Sequence, residues 1–308
     1  MGKDVFNPLK ITPNFYRLGT TSFPVYLSVG KDAMIIEGGT GATAQIIVDQ
    51  IGTLKIDPKD IKYIALTHTH ADHIGAIPHL KLLWPHIKVV VSNAGANVLS
   101  AMSAQKSLSE FQWVDNNIST LMLSKGEIEK IPSAPETYNF APDIVVEEGD
   151  TVDLGNGVVW TVYNTPGHSA CHIAWYEEGE KILVIGDATG FYVPAQDTFW
   201  PNYFDSLEDY VNSIRKLSSL SAKLGVLSHN YVIHDSLDDY FEKALAAAES
   251  YHNEMMDRIN AGENPDDLAV EKAMWVNRLT DIQPYKVMLN LSRLLIMRSR
   301  KEDSKNCF

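Results

Sequence analysis

Three histidines and an aspartate fall within six consecutive residues, His68-Thr69-His70-Ala71-Asp72-His73, in a chain of 308 residues with ten histidines in all. The H-x-H-x-D-H spacing directly follows an apolar run at 63–67 that reads as a β-strand. A tight loop at a strand end projects alternate side chains into one crevice, where imidazole and carboxylate donors suit Zn, Fe or Mn. A solvated polar turn would have no need of so many imidazoles.

Three later segments repeat the same grammar, an apolar strand ending in a ligand-type side chain. His168 stands at the apex of a tight Pro166-Gly167 turn, Asp187 follows the run 182–185, and His229 follows 224–227. One His or Asp at a strand end commonly does no more than cap a turn. Together with the first segment, and in a sheet protein whose sites lie at the carboxyl ends of strands, the three read as further metal ligands. A metal ion among such ligands lowers the pKa of a bound water from near 16 toward neutrality, and that hydroxide attacks a carbonyl or phosphoryl centre.

The elements that must hold these side chains are short. Strands are expected at 25–29, 33–36, 63–67, 88–92, 158–164, 172–176, 182–185 and 224–228. Between them, Ile46, Ile47, Ile51 and Leu54 recur at helical spacing. The 205–209 stretch supplies capping residues ahead of Leu207, Tyr210, Val211, Ile214 and Leu217. This alternation is α/β layering. After residue 234 strand patterning stops, and 236–260 and 266–300 read as helices, with breaks at Gly262, Pro265 and Pro284. The expected division is therefore a catalytic domain over 1–233 and a C-terminal helical extension over 234–308. The stripe Val287, Leu291, Leu294 and Leu295 would face a core.

Hydrophobic residues at 45% and charged residues at 21% place the chain among ordinary globular proteins. A net charge of −13 argues against a nucleic-acid partner, which calls for a basic face. No run of about 18 apolar residues offers a membrane span. Cys171 and Cys307 make no disulfide framework. The first residues lack an apolar signal core, and Phe6 stands where myristoylation needs Ser or Thr. A cytoplasmic protein acting on a small-molecule substrate is expected.

The order HxHxDH, PGHS, GDA and a strand-final His resembles the metallo-β-lactamase superfamily, especially its glyoxalase II-like branch. The stretches 24–39, 167–176 and 185–190 and the helical tail are similar to thioesterase-like members with a C-terminal helical pair. The resemblance implies a four-layer αββα sandwich with a dinuclear site at one edge. It implies that His68, His70 and His168 hold one divalent ion, that Asp72, His73 and His229 hold the second, and that Asp187 bridges both. It favours a thioester among ester-like substrates. Ser228 stands where many relatives have Gly before the last histidine.

Asp72 is also the candidate catalytic residue, orienting the nucleophile and passing a proton to the leaving group. The aromatic segment 191–200 follows Asp187 directly, so Phe191, Tyr192 and Trp200 are candidates for binding an acyl group. Tyr192 or Tyr231 could donate a hydrogen bond to substrate. His172 reads as a histidine that packs or orients a ligand, His79 and His86 as solvent-facing, and Cys171 as a small core residue. Alternatives to thioester hydrolysis are a lactone or phosphodiester substrate, an iron-dependent persulfide dioxygenase, or a non-enzymatic regulatory partner. The long terminal helix, with Met288 and Met297, could also support a homodimer.

Overall fold

Runs of Val, Ile and Leu bounded by turn residues become strands where expected, because such side chains pack well on a pleated surface. The computed structural model describes residues 7–102, 104–230, 232–234, 236–301 and 308. Two compact units are formed, one by the described residues up to Tyr163 with Trp175–Glu180, the other by Asn164–Ala174 and the described residues from Lys181 onward.

The first unit opens with β1 (Leu9–Thr12), β2 (Phe15–Gly19), β3 (Pro24–Val29) and β4 (Ala33–Ile36), an antiparallel meander. Helix α1 (Ala44–Leu54) leads to β5 (Ile61–Ala65), and α2 (Ala71–Ile74) and α3 (Ile77–Leu83) lead to β6 (Lys88–Ser92). Helices α4 (Asn93–Ala101) and α5 (Gln105–Ser124) then lead to β7 (Ile144–Val146). The seven strands make one sheet in chain order, parallel from β4 to β7. Helical crossovers cover a parallel sheet, which is why Ile35, Ile64, Val89 and Val91 are all fully buried in the core. Strands β8 (Thr151–Asp153) and β9 (Val159–Asn164) form an antiparallel hairpin, and β10 (Ile173–Glu177) follows.

In the second unit, β11 (Ile182–Gly186) pairs in parallel with β14 (Leu224–Leu227), which pairs antiparallel with β15 (Val232–Ile233). The hairpin of β12 (Phe191–Val193) and β13 (Thr198–Trp200) lies between them in sequence. Helix α6 (Leu207–Ser218) is capped by Ser206, whose hydroxyl accepts from the Asp209 amide. It buries Leu207, Tyr210, Val211, Ile214 and Leu217, the face read from the sequence. The tail forms three helices, α7 (Leu237–Asn260), α8 (Pro265–Leu279) and α9 (Tyr285–Lys301). Pro284 stands directly ahead of α9, and its carbonyl accepts from the Val287 and Met288 amides. Helix α7 packs on α6, α9 and β13, and α8 packs on α9.

The buried face of α9 differs from the apolar stripe expected. It consists of Met288, Ser292, Leu295, Ile296 and Ser299, while Val287, Leu291 and Leu294 are half-buried. Small serine side chains allow α9 to approach its neighbours closely, so burial follows shape more than hydrophobicity here. Among the described residues no helix is long and apolar enough to cross a membrane.

Candidate metal centre

The first unit brings His68, His70, Asp72 and His73 to the carboxyl end of β5. The strand stops at Ala65, and the chain turns at 66–69 before His70 caps the single-turn helix α2. This turn is stitched to the 37–41 loop after β4: the Glu37 amide donates to the Ala65 carbonyl, the Gly38 amide to His73, and the Gly75 amide to Gly39. A Cβ on Gly75 would lie 2.4 Å from the Gly41 amide nitrogen, so the two backbones could not approach with any larger residue there.

Glu37, which the sequence reading did not single out, orders this group of side chains. It is 1% exposed and holds φ +77°, a left-handed conformation that costs a residue with a Cβ on the order of 1 kcal/mol. Its Oε1 accepts from the Thr67 hydroxyl at 2.6 Å, and its Oε2 lies 3.0 Å from His73 Nδ1. His68 Nδ1 lies 3.0 Å from the same Thr67 oxygen. The Thr67 proton points to Glu37 and a carboxylate only accepts, so both His68 and His73 carry their proton on Nδ1. The lone pair of each ring then sits on Nε2, the form in which an imidazole ligates a metal.

The donor atoms sit at coordination spacings. His68 Nε2 is 2.9 Å from His70 Nδ1, and His73 Nε2 is 3.7 Å from Asp72 Oδ2. Donors each about 2.0–2.2 Å from one ion stand roughly 3–3.5 Å apart. Asp72 and His73 are buried and His70 is partly exposed. Asp115, reaching in from α5, accepts from the Gly41 amide at 2.8 Å. Burial, with a smaller contribution from the Asp72 charge, raises its carboxyl from 3.8 to about 6.

The second unit brings together His168, Asp187 and His229. Asp187 Oδ2 is 3.6 Å from His168 Nε2 and 3.7 Å from His229 Nε2. His168 Nδ1 donates to the Asn202 carbonyl at 3.0 Å, which places the lone pair on Nε2. Gly167, at φ +118°, lets the turn before His168 pack on the backbone of Tyr210, 2.2 Å from where a Cβ would stand. The Asp187 amide donates to His172 Nε2 at 3.0 Å, and His172 Nδ1 lies 2.7 Å from Thr165 Oγ1. His172 is therefore neutral and fixes the peptide that carries Asp187. Two residues further, the Thr189 hydroxyl is 2.7 Å from the Tyr240 hydroxyl of α7. Burial pushes the Tyr240 hydroxyl far up, so it stays protonated.

The aromatic candidates part company. Phe191 packs its ring 5.1 Å from that of His229. Trp200 packs on Phe204, whose ring lies 5.3 Å from His168. Tyr192 donates its hydroxyl to Asp197 at 2.7 Å on an exposed edge, and so has that group already engaged. Tyr231 lies outside the described residues. His86 is exposed, but His79 is half-buried, and desolvation lowers its pKa. Cys171 is buried.

All seven predicted ligands belong to His and Asp groups that could hold a metal ion. The donor set fits a divalent cation: imidazoles, three of them oriented through Nδ1, beside carboxylates at strand ends.

This architecture is that of the metallo-β-lactamase fold, mixed α/β with a C-terminal helical region. A metallo-β-lactamase family protein from Thermus thermophilus, TTHA1429, aligns over 95% of both chains with a TM-score of 0.65 and 20% identity. The model of the metallo-beta-lactamase superfamily matches residues 19–229, and the chain belongs to that superfamily. An atrochrysone carboxyl ACP thioesterase from Aspergillus fumigatus is 24% identical over 222 residues, which are 70% of this chain and 52% of that protein. A hydroxyacylglutathione hydrolase from Methylobacterium nodulans is 27% identical over 152 residues, 48% of this chain and 43% of that protein. The matched region thus spans about half the length of these relatives. At family level the membership supports a metal-dependent hydrolase, in a superfamily that usually binds divalent metals.

Proposed function

We propose that the chain hydrolyses an ester-like bond with two divalent ions, and that a thioester is the favoured substrate. The observation that carries this reading is the set of three imidazoles, His68, His73 and His168, each oriented by an Nδ1 hydrogen bond, among the His and Asp groups that could hold a metal ion. In the proposed arrangement His68, His70 and His168 hold one ion, Asp72, His73 and His229 hold the other, and Asp187 touches both. When bound, the pair supplies a water of lowered pKa and a sink for charge on the attacked oxygen. Zn, Fe and Mn all suit these donors.

The remaining tasks fall to the chain. Asp72 orients the attacking water and returns a proton to the leaving group. Phe191, whose ring packs beside His229, and Trp200, which packs on the Phe204 ring beside His168, offer apolar surface to an acyl group, with Tyr192 at the outer edge. A thioester is favoured because a relative carries the name thioesterase. All these residues lie within 1–233, and helix α7 of the 234–308 extension packs on β13, which carries Trp200. Exposed Val270, Met274, Tyr285 and Met297 on the tail offer a surface for self-association as a homodimer. Net charge and cysteine usage favour a cytoplasmic protein without a nucleic-acid partner.

The test is elemental analysis of the full chain as purified, coupled to a screen of thioester, lactone and phosphodiester substrates. Thioester turnover that a chelator removes and added metal restores is expected. Turnover indifferent to chelation, or a phosphodiester preferred over thioesters, would refute it.

A further inference from the structure

We propose that the C-terminal helix α9 is a positioning element for His168, acting through the strap 202–206, with Arg298 and Ser299 as the residues that hold it. The proposal rests on reading His168 as a metal ligand, and it assigns the tail a task within the site.

The strap is the second partner of His168. The Asn202 carbonyl accepts from His168 Nδ1 at 3.0 Å and from the Phe204 amide at 2.8 Å. Phe204 sets its ring beside the imidazole, and the Asp205 and Ser206 amides both donate to the Gly167 carbonyl, at 2.9 and 3.2 Å. The turn that carries His168 is thus held from the outside by four of the five residues of the strap. Those residues have no regular element of their own, and an irregular segment keeps a fixed geometry only when its surroundings determine it.

Helix α9 supplies that determination. Arg298 Nε donates to the Phe204 carbonyl at 3.0 Å, and its guanidinium lies 3.5 Å from the Asp205 carboxylate. The fully buried Tyr203 hydroxyl is 2.8 Å from the fully buried Ser299 hydroxyl. Three successive strap residues are therefore fastened to two successive residues of one helix. Ser299 replaces an apolar side chain on the buried face of α9, and its hydroxyl is what meets Tyr203. The contacts converge on one carbonyl, Asn202, whose direction decides which nitrogen of His168 keeps the proton. Displacing it would let Nε2 take the proton and lose donor strength.

The experiment uses the full chain with cobalt(II) as probe, its affinity measured by absorption with a competing chelator. The metal-free protein is examined by long-range 1H–15N spectra of the imidazoles. Direct removal of a ligand's hydrogen-bond partner costs about 10- to 100-fold in metal affinity. One layer further out, R298A and S299A should each weaken cobalt binding by about 3- to 10-fold. Each should also shift the His168 ring from a pure Nδ1–H form to a mixture. R298K, which keeps one donor to Phe204, should recover most of the loss. R293A, on the same helix and paired with Asp266 at the surface, should change neither readout. S299A is also read alone, because it deletes a single oxygen and leaves the helix intact. Wild-type cobalt affinity and unmoved His168 signals in R298A and S299A, with binding lost in H168A, overturn the positioning role. Wild-type cobalt affinity in H168A overturns instead the reading of His168 on which it rests.

Discussion

Replacing Glu37 by glutamine tests the orientation of two ligands with one atom. In the native arrangement the carboxylate accepts twice, from Thr67 Oγ1 at 2.6 Å and from His73 Nδ1, 3.0 Å away. An amide of the same shape can accept at one end only and must donate at the other. If its NH2 faces His73, that ring must accept on Nδ1 and carry its proton on Nε2, where the ion should bind. If its NH2 faces Thr67, the hydroxyl proton loses its acceptor in a fully buried place, or turns to His68 and forces that ring into the wrong tautomer. A buried polar group left without a partner costs about 1–3 kcal/mol. Either way the loss should weaken metal binding by about 10- to 100-fold. Chelator competition with zinc or cobalt on E37Q measures it, with a thermal melt to show that the fold persists. A folded E37Q of wild-type metal affinity would refute the argument that Glu37 sets the tautomers of His68 and His73.

Asp187→Ala removes the carboxylate that faces both His168 and His229. At least one equivalent of metal and all turnover should disappear, and elemental analysis beside the activity assay checks both. Asp115 yields a pH dependence with a definite sign. Its folded-state value of about 6 lies above the ordinary 3.8, so the unfolded chain ionises first as pH rises. Stability is therefore lost between about pH 4 and pH 6, by about 3 kcal/mol at about 1.4 kcal/mol per pH unit. Asp115→Asn keeps the acceptor for the Gly41 amide and should abolish this loss, matching wild type below pH 4 and exceeding it above pH 6 in denaturant titrations. Ser206→Ala deletes the cap of α6, and the same titrations should show about 1 kcal/mol less stability.

Where the sequence carried a short-range signal, the structure could be read from it. The strands at 33–36 and 88–92 form with the expected limits, because each is an apolar run bounded by turn residues. The cap of α6 is legible because Ser206 stands directly ahead of an apolar series of helical period. The edge strand β1, its neighbour β2 and the long helix α5 escaped notice. Only Phe111, Ile118, Ser119 and Met122 of α5 are buried, so its twenty residues show little amphipathic contrast. The site was legible to the same depth. Ligand-type residues at strand ends advertise themselves by type and position. Glu37, Thr67 and Asn202 do not, since a glutamate after a strand looks like any surface turn until another loop closes over it. Asn202 acts through its backbone carbonyl, which every residue possesses, so no pattern of side chains could have revealed it.

That difference separates the two groups of candidate ligands. In the first unit, His68 and His73 are oriented by side chains, and a single polar substitution at Glu37 or Thr67 reaches the donors directly. In the second, His168 and Asp187 are oriented through main-chain groups, the Asn202 carbonyl and the Asp187 amide. Main-chain partners persist through most substitutions at their own positions and fail only when the backbone moves. Protection of that group must therefore come from whatever fixes the backbone: Tyr240 of α7 against Thr189, and Arg298 and Ser299 of α9 against the strap. Damage to metal binding in the first unit should thus map to residues beside the ligands. In the second it should map to helices far later in the chain, where a sequence search for ligand motifs would not look.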